Sequence, residues 1–143
     1  MAKLERLEEI IDSTEPDATF HDADDLTISV DYQHLILKFK MMLCVGDPNA
    51  KCEAERERRR PCEVVFSGLQ HWSIGLPDSN YKKISGPLWM TSDGPLIDCP
   101  TKKAKELIKV NYNDDIQWYL YFSDINTFTY IVASGVSFKW ISL

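Results

Sequence analysis

From Ile116 to Trp140 the chain alternates large apolar side chains with polar or small ones. A stretch of that period has few options other than an antiparallel sheet. Ile116, Trp118, Leu120 and Phe122 share one face, with Gln117, Tyr119, Tyr121 and Ser123 opposite. After Asp124-Ile125-Asn126 the period resumes, with Phe128, Tyr130 and Val132 against Thr127, Thr129, Ile131 and Ala133. Gly135 reads as a turn into a third strand that carries Val136, Phe138 and Trp140. Successive side chains of a strand point to opposite faces, so both faces of this meander carry large residues. One face must be core. The other must be covered, either by the chain's own helices, the N-terminal one included, or by a partner. A continuous exposed patch of Tyr119, Tyr121, Thr129 and Ile131 would be the mark of an interaction surface.

The same period recurs upstream. Leu26, Ile28 and Val30 alternate with Thr27, Ser29 and Asp31, and Tyr32–His34 connects them to a second alternating run, Leu35–Leu43. These read as a hairpin whose wet face is marked by Lys38 and Lys40. Further strands are expected over Glu63–Leu69, Trp72–Leu76, Leu88–Thr91 and Leu96–Ile97. Between the hairpin and the first of these lies a segment, 47–61, with Lys51, Arg56 and Arg58–Arg60 set among Glu53, Glu55 and Glu57. Its apolar content is almost nil, and it reads as a charged surface loop. Leu4, Leu7, Ile10 and Ile11 form one helical stripe, closed by Pro16. A second short helix is expected over 101–109, capped near Thr101, with Ala104, Leu107 and Ile108 on its apolar side. The expected fold is mainly β (α+β): a strongly curved antiparallel sheet or a sandwich in one domain, 1–143, with two short helices.

Charge narrows the partners. The 143 residues carry 22 acidic and 16 basic side chains, a net charge of −6. Such a surface repels phosphate backbones, so nucleic acid is not an expected partner. No run approaches the roughly 20 apolar residues needed to span a bilayer, and no membrane association is expected. The opening MAKLERLEEI is too charged for the apolar core of a signal peptide, which makes the cytoplasm the expected location. Cys44, Cys52, Cys62 and Cys99 form no close C-x-x-C pair and are expected as free thiols, not zinc ligands. No metal and no cofactor are expected.

The richest polar cluster is Phe20-His21-Asp22-Ala23-Asp24-Asp25. His21 is the one candidate catalytic residue, since three carboxylates within four positions could hold a cation or raise its pKa. A hydrolytic metal site would need further ligands from elsewhere, and His34 and His71 are the only other histidines. A Cys62–His71 pair is conceivable, but Ser67-Gly68 and Ser134-Gly135 lack a nucleophile elbow, and the six glycines make no phosphate cradle. The interaction candidates are the carboxylates Asp22, Asp24 and Asp25, the aromatics Tyr119 and Tyr121, and Arg58. Aromatic side chains bury large areas at little entropic cost, and arginine forms bidentate pairs at an interface rim.

The Phe20-His21-Asp22-Ala23 motif, the Cys44-Val45-Gly46-Asp47-Pro48 turn and the closing Phe128–Trp140 segment resemble a group of small uncharacterised bacterial proteins. In these, a Phe-His-Asp-Ala stretch leads into a β-rich domain. The layout is also similar to that of immunity proteins of contact-dependent and polymorphic toxin systems. Negative charge, small size and an aromatic-rich sheet without a recognisable active site point to a non-enzymatic interaction protein with a protein partner or a second copy of itself, and the resemblance implies neutralisation of a bacterial toxin as its sharper form. A small metal-assisted hydrolase centred on His21 and a small-molecule-binding module are the alternatives.

Overall fold

The computed structural model describes residues 4–11, 14–15, 18–46, 58–75, 88–110 and 116–141. Most of the segment 47–61, including Cys52, lies outside them, as does Leu76. Six strands close into a barrel: β1 (Thr19–Asp31), β2 (Ile36–Cys44), β3 (Arg59–Ile74), β4 (Leu88–Pro95), β5 (Ile116–Phe122) and β6 (Thr127–Trp140). Around the ring the order is β1-β2-β3-β6-β5-β4, and every neighbouring pair is antiparallel. The barrel is therefore two three-stranded meanders joined twice, β3 to β6 and β4 to β1. A closed ring leaves no strand edge to protect.

The alternating faces fall as the sequence indicates. Leu37, Phe39, Met41 and Leu43 of β2 and Ile116, Trp118, Leu120 and Phe122 of β5 are all buried inside. Phe66 meets Phe39 edge to face, with ring centroids 5.8 Å apart. Lys38 stays at the surface of β2, where it shares the carboxylate of Glu63 with Lys139, each at 3.6 Å.

Several boundaries differ from expectation. β6 runs unbroken through Gly135, so the closing segment is two strands of a hairpin and not three. Gly135 faces Ser67 across the β3–β6 ladder, where a Cβ would lie 3.2 Å from the serine oxygen. Close approach of two strands, not chain reversal, is its role. β3 likewise continues through Gly68 as a single strand and already begins at Arg59, so the last residues of the expected charged loop are paired with β2. At the N-terminus only Leu7–Ile10 winds, as one 3-10 turn. Leu7 nevertheless is fully buried in the barrel core, with Leu4, Ile10 and Ile11 packed on it. This segment plugs the barrel mouth beside the start of β1, where Thr19 Oγ1 donates to Glu8 at 3.3 Å.

The second face of β5 and β6 is covered by the chain itself. Ile131 and Thr129 point into the barrel, so the outward set is Tyr119, Tyr121, Phe128, Tyr130 and Val132, and Tyr119, Tyr121, Thr129 and Ile131 do not form one exposed patch. Helix α1 (Lys102–Lys109) lays Ala104 and Leu107 against Tyr130 and Val132, with Leu96 and Cys99 completing a second core. The cover is thus α1, not the N-terminal segment. Thr101 caps this helix by accepting from the Ala104 amide at 3.2 Å, and its hydroxyl also meets the Tyr130 hydroxyl at 2.8 Å. Thr101→Ala is expected to cost about 1 kcal/mol, the usual loss for an N-cap. Thermal unfolding should report it as a fall in midpoint.

Candidate interaction face

β1 departs from period two in a way that builds a surface. Asp22 and Asp25 have left-handed backbone, with φ of 62° and 54°. Aspartate is among the few residues besides glycine that visit this region readily. The register against β2 slips between Thr19 and Asp24 and again between Asp24 and Thr27, and the register against β4 slips between Ala23 and Leu26. The slips after Asp24 and after Ala23 each set three steps of β1 against two of its neighbour, the one extra residue of a bulge, which re-aims the side chains around it. As a result Phe20, Ala23 and Leu26, three apart, all point into the core. The pairs between them, His21-Asp22 and Asp24-Asp25, are left at the surface.

On the neighbouring strand, Leu88 lies opposite Leu26 and Met90 opposite Ala23. Trp89, between them, therefore stands beside the Asp24-Asp25 pair. It is 44% exposed, unusual for a side chain of that size in a strand. Arg59 reaches across from β3, donating to the Asp22 carbonyl at 2.7 Å and approaching the Asp24 carboxylate at 3.9 Å. The face is an exposed indole across from the Asp24-Asp25 pair, with Asp22 further along β1.

His21 belongs to this face, held between a main-chain carbonyl and one carboxylate. Its Nδ1 lies 2.6 Å from the Thr91 carbonyl, which can only accept, so Nδ1 carries the proton. Nε2 sits 3.4 Å from Asp22, and the side chain is 69% exposed. The other histidines have separate partners. His34 Nδ1 lies 2.7 Å from Asp31, whose carboxyl the histidine holds below its usual range through that hydrogen bond. His71 bonds Ser73 at 2.8 Å, and its pKa is lowered, first by burial and then by the charge of Lys103. No group of three or more His, Cys, Asp or Glu side chains among the described residues could hold a metal ion. Cys62 and His71 lie nine positions apart on one strand, roughly 30 Å at strand rise. Burial pushes the Cys62 thiol up to about 12, so it stays protonated at neutral pH.

The remaining interaction candidates are engaged within the fold. Tyr121 packs on Phe128, with ring centroids 4.7 Å apart, and donates to Asn126 at 2.6 Å. Tyr119 packs against the second core. Arg58 holds Glu15 through two bonds of 2.9 and 3.1 Å, and Arg60 reaches the same carboxylate at 3.0 Å while lying over Trp140. These arginines tie the N-terminal segment to the barrel wall. In the sequence Trp89 does not stand out, because Pro87 and Gly86 beside it mark the edge of an irregular stretch. Its place in Leu88-Trp89-Met90, apolar on both sides, is the only signal that marks it.

Compared with known proteins, the chain matches no protein-family model, no curated protein and no solved structure.

Proposed function

We propose that this chain is a non-enzymatic protein-interaction domain that binds a basic protein through the β1–β4 face. Its sharper form is neutralisation of a bacterial toxin by occlusion. The observation that carries the reading is Trp89, exposed on β4 beside the bulged carboxylates of β1. A large aromatic anchor beside charged groups has the composition of an interface hot spot, and carboxylates there steer a basic partner during encounter. The overall charge of −6 acts in the same direction. The small-molecule alternative gains no support from the barrel interior, which is filled by Phe20, Phe39, Phe66, Trp118 and Phe122, all buried. The hydrolase alternative gains none from His21, whose ring nitrogens meet a main-chain carbonyl and one carboxylate.

The test is capture from a native lysate, identification of the partner, and a measurement of whether co-expression rescues cells from that partner's toxicity. Trp89→Ala is expected to weaken binding about 30-fold or more, a hot-spot loss of about 2 kcal/mol. Asp24→Asn with Asp25→Asn should slow association and flatten its salt dependence. Binding and rescue that survive both changes would place the interface elsewhere or remove the reading.

A further inference from the structure

Asp93 is a half-buried carboxylate that lines a cleft together with the N-terminal segment, and the interaction face does not use it. It projects from the end of β4 toward Trp118, whose indole Nε1–H donates to its Oδ2 at 2.8 Å. Leu7, fully buried, closes the mouth beside it. A cleft of about 260 Å³ opens there, lined by Arg6, Glu8, Asp93, Asp98, Trp118 and Tyr119 among others, so protons can reach the carboxyl.

We propose that Asp93 is a proton-operated latch for the N-terminal segment: a protonated carboxyl lets the segment seat in the barrel mouth, and ionisation loosens it. The charges facing the group come from every side. The N-terminal segment brings Glu5, Arg6 and Glu8, β1 brings His21, the turn after β4 brings Asp98, and β5 brings Tyr119. Burial disfavours the charged form most, Glu8 adds repulsion, and the Trp118 hydrogen bond, Arg6 and His21 only partly offset them. Together they push the carboxyl up from 3.8 to about 6. In this proposal, unseating the segment opens Asp93 to water on that side and takes the Glu8 charge away from it. A raised pKa in the seated state means that seating is strongest below about pH 4 and weakens as pH rises through 6. The geometry is thus tuned to the range between acidic and neutral surroundings. This device acts within the chain and stands whether or not the proposed partner exists.

The readout is amide hydrogen exchange of the full chain at Glu9 and Ile11, whose N–H groups bond Arg6 and Glu8 carbonyls at 3.2 and 3.1 Å within the segment. Corrected for intrinsic rates, their protection should fall about thirtyfold between pH 4.5 and 7.5, while that of Ile131 in the core does not follow. Asp93→Asn should leave protection flat over that range, and Glu8→Gln should move the midpoint to lower pH. Unchanged protection in the wild type, or an equal fall in Asp93→Asn, would overturn the proposal. So would a parallel loss at Ile131, or a midpoint in Glu8→Gln identical to that of the wild type. The last of these decides the matter even if Asp93→Asn fails to fold.

Discussion

Trp118→Ala is expected to lower stability by about 3–5 kcal/mol, the range for removing a fully buried tryptophan from a close-packed core. Against a total of about 5–15 kcal/mol for an ordinary domain, that leaves little or none. The side chain is 1% exposed and lies on the inward face of β5 with Ile116, Leu120 and Phe122. Its loss opens a cavity and also strips Asp93 of the Trp118 indole donor. Trp118→Phe separates the two effects. It keeps most of the apolar volume but removes the N–H, at a further cost of about 1–3 kcal/mol for the bereaved acceptor. The hydrogen bond favours the ionised carboxyl, so the penalty should be larger at pH 7.5 than at pH 5, where Asp93 is mostly protonated. Urea unfolding of both variants at the two pH values checks it; a penalty for Trp118→Phe that is the same at both would detach the indole from the carboxylate.

Gly68→Ala is expected to cost about 2–4 kcal/mol although it adds a single methyl group. Gly68 holds φ at +62°, a conformation that costs an L-residue roughly 1–2 kcal/mol. The new Cβ would also fall 1.8 Å from Ser134 Oγ and 2.9 Å from Ser134 Cβ. The serine hydroxyl, which donates to the Ser67 carbonyl at 3.2 Å, must then turn away. Adding Ser134→Gly should recover the overpacking part, usually 1–3 kcal/mol, and leave the backbone part. A double variant as unstable as the single one would mean that backbone strain alone sets the cost.

The same glycine shows where the sequence stopped being readable. Val64 and Phe66 point inward at period two, but the next buried residue is Leu69, not Gly68. A left-handed residue shifts the phase by one, and nothing in the pattern of apolar residues announces it. β1 repeats the lesson at Asp22 and Asp25, where two bulges turn the inward set into Phe20, Ala23 and Leu26. The acidic stretch therefore read as a lead-in to a strand when it is strand throughout. Where backbone stays regular, in β2 and β5, the alternation identified the buried face correctly residue by residue. The mainly β class, the strong curvature and the capped helix at Thr101 were legible for that reason. Closure of the ring was not, because it depends on pairings between β1 and β4 and between β3 and β6, far apart along the chain. The candidate site was half legible: the carboxylates stood out by composition, while Trp89 acquires meaning only through its register beside them.

The bulges have a mechanical consequence for the whole ring. Each slip in register removes hydrogen bonds from the ladder, and the β1–β4 pairing carries its slip within a short span, between Ala23 and Leu26. Local opening is therefore expected to be cheaper along this short seam than along the long β3–β6 ladder. The carboxylates stand on one bank of that seam and Trp89 on the other. Anything that grips both banks fastens the ring, so that recognition at this face and rigidity of the entire barrel become the same event.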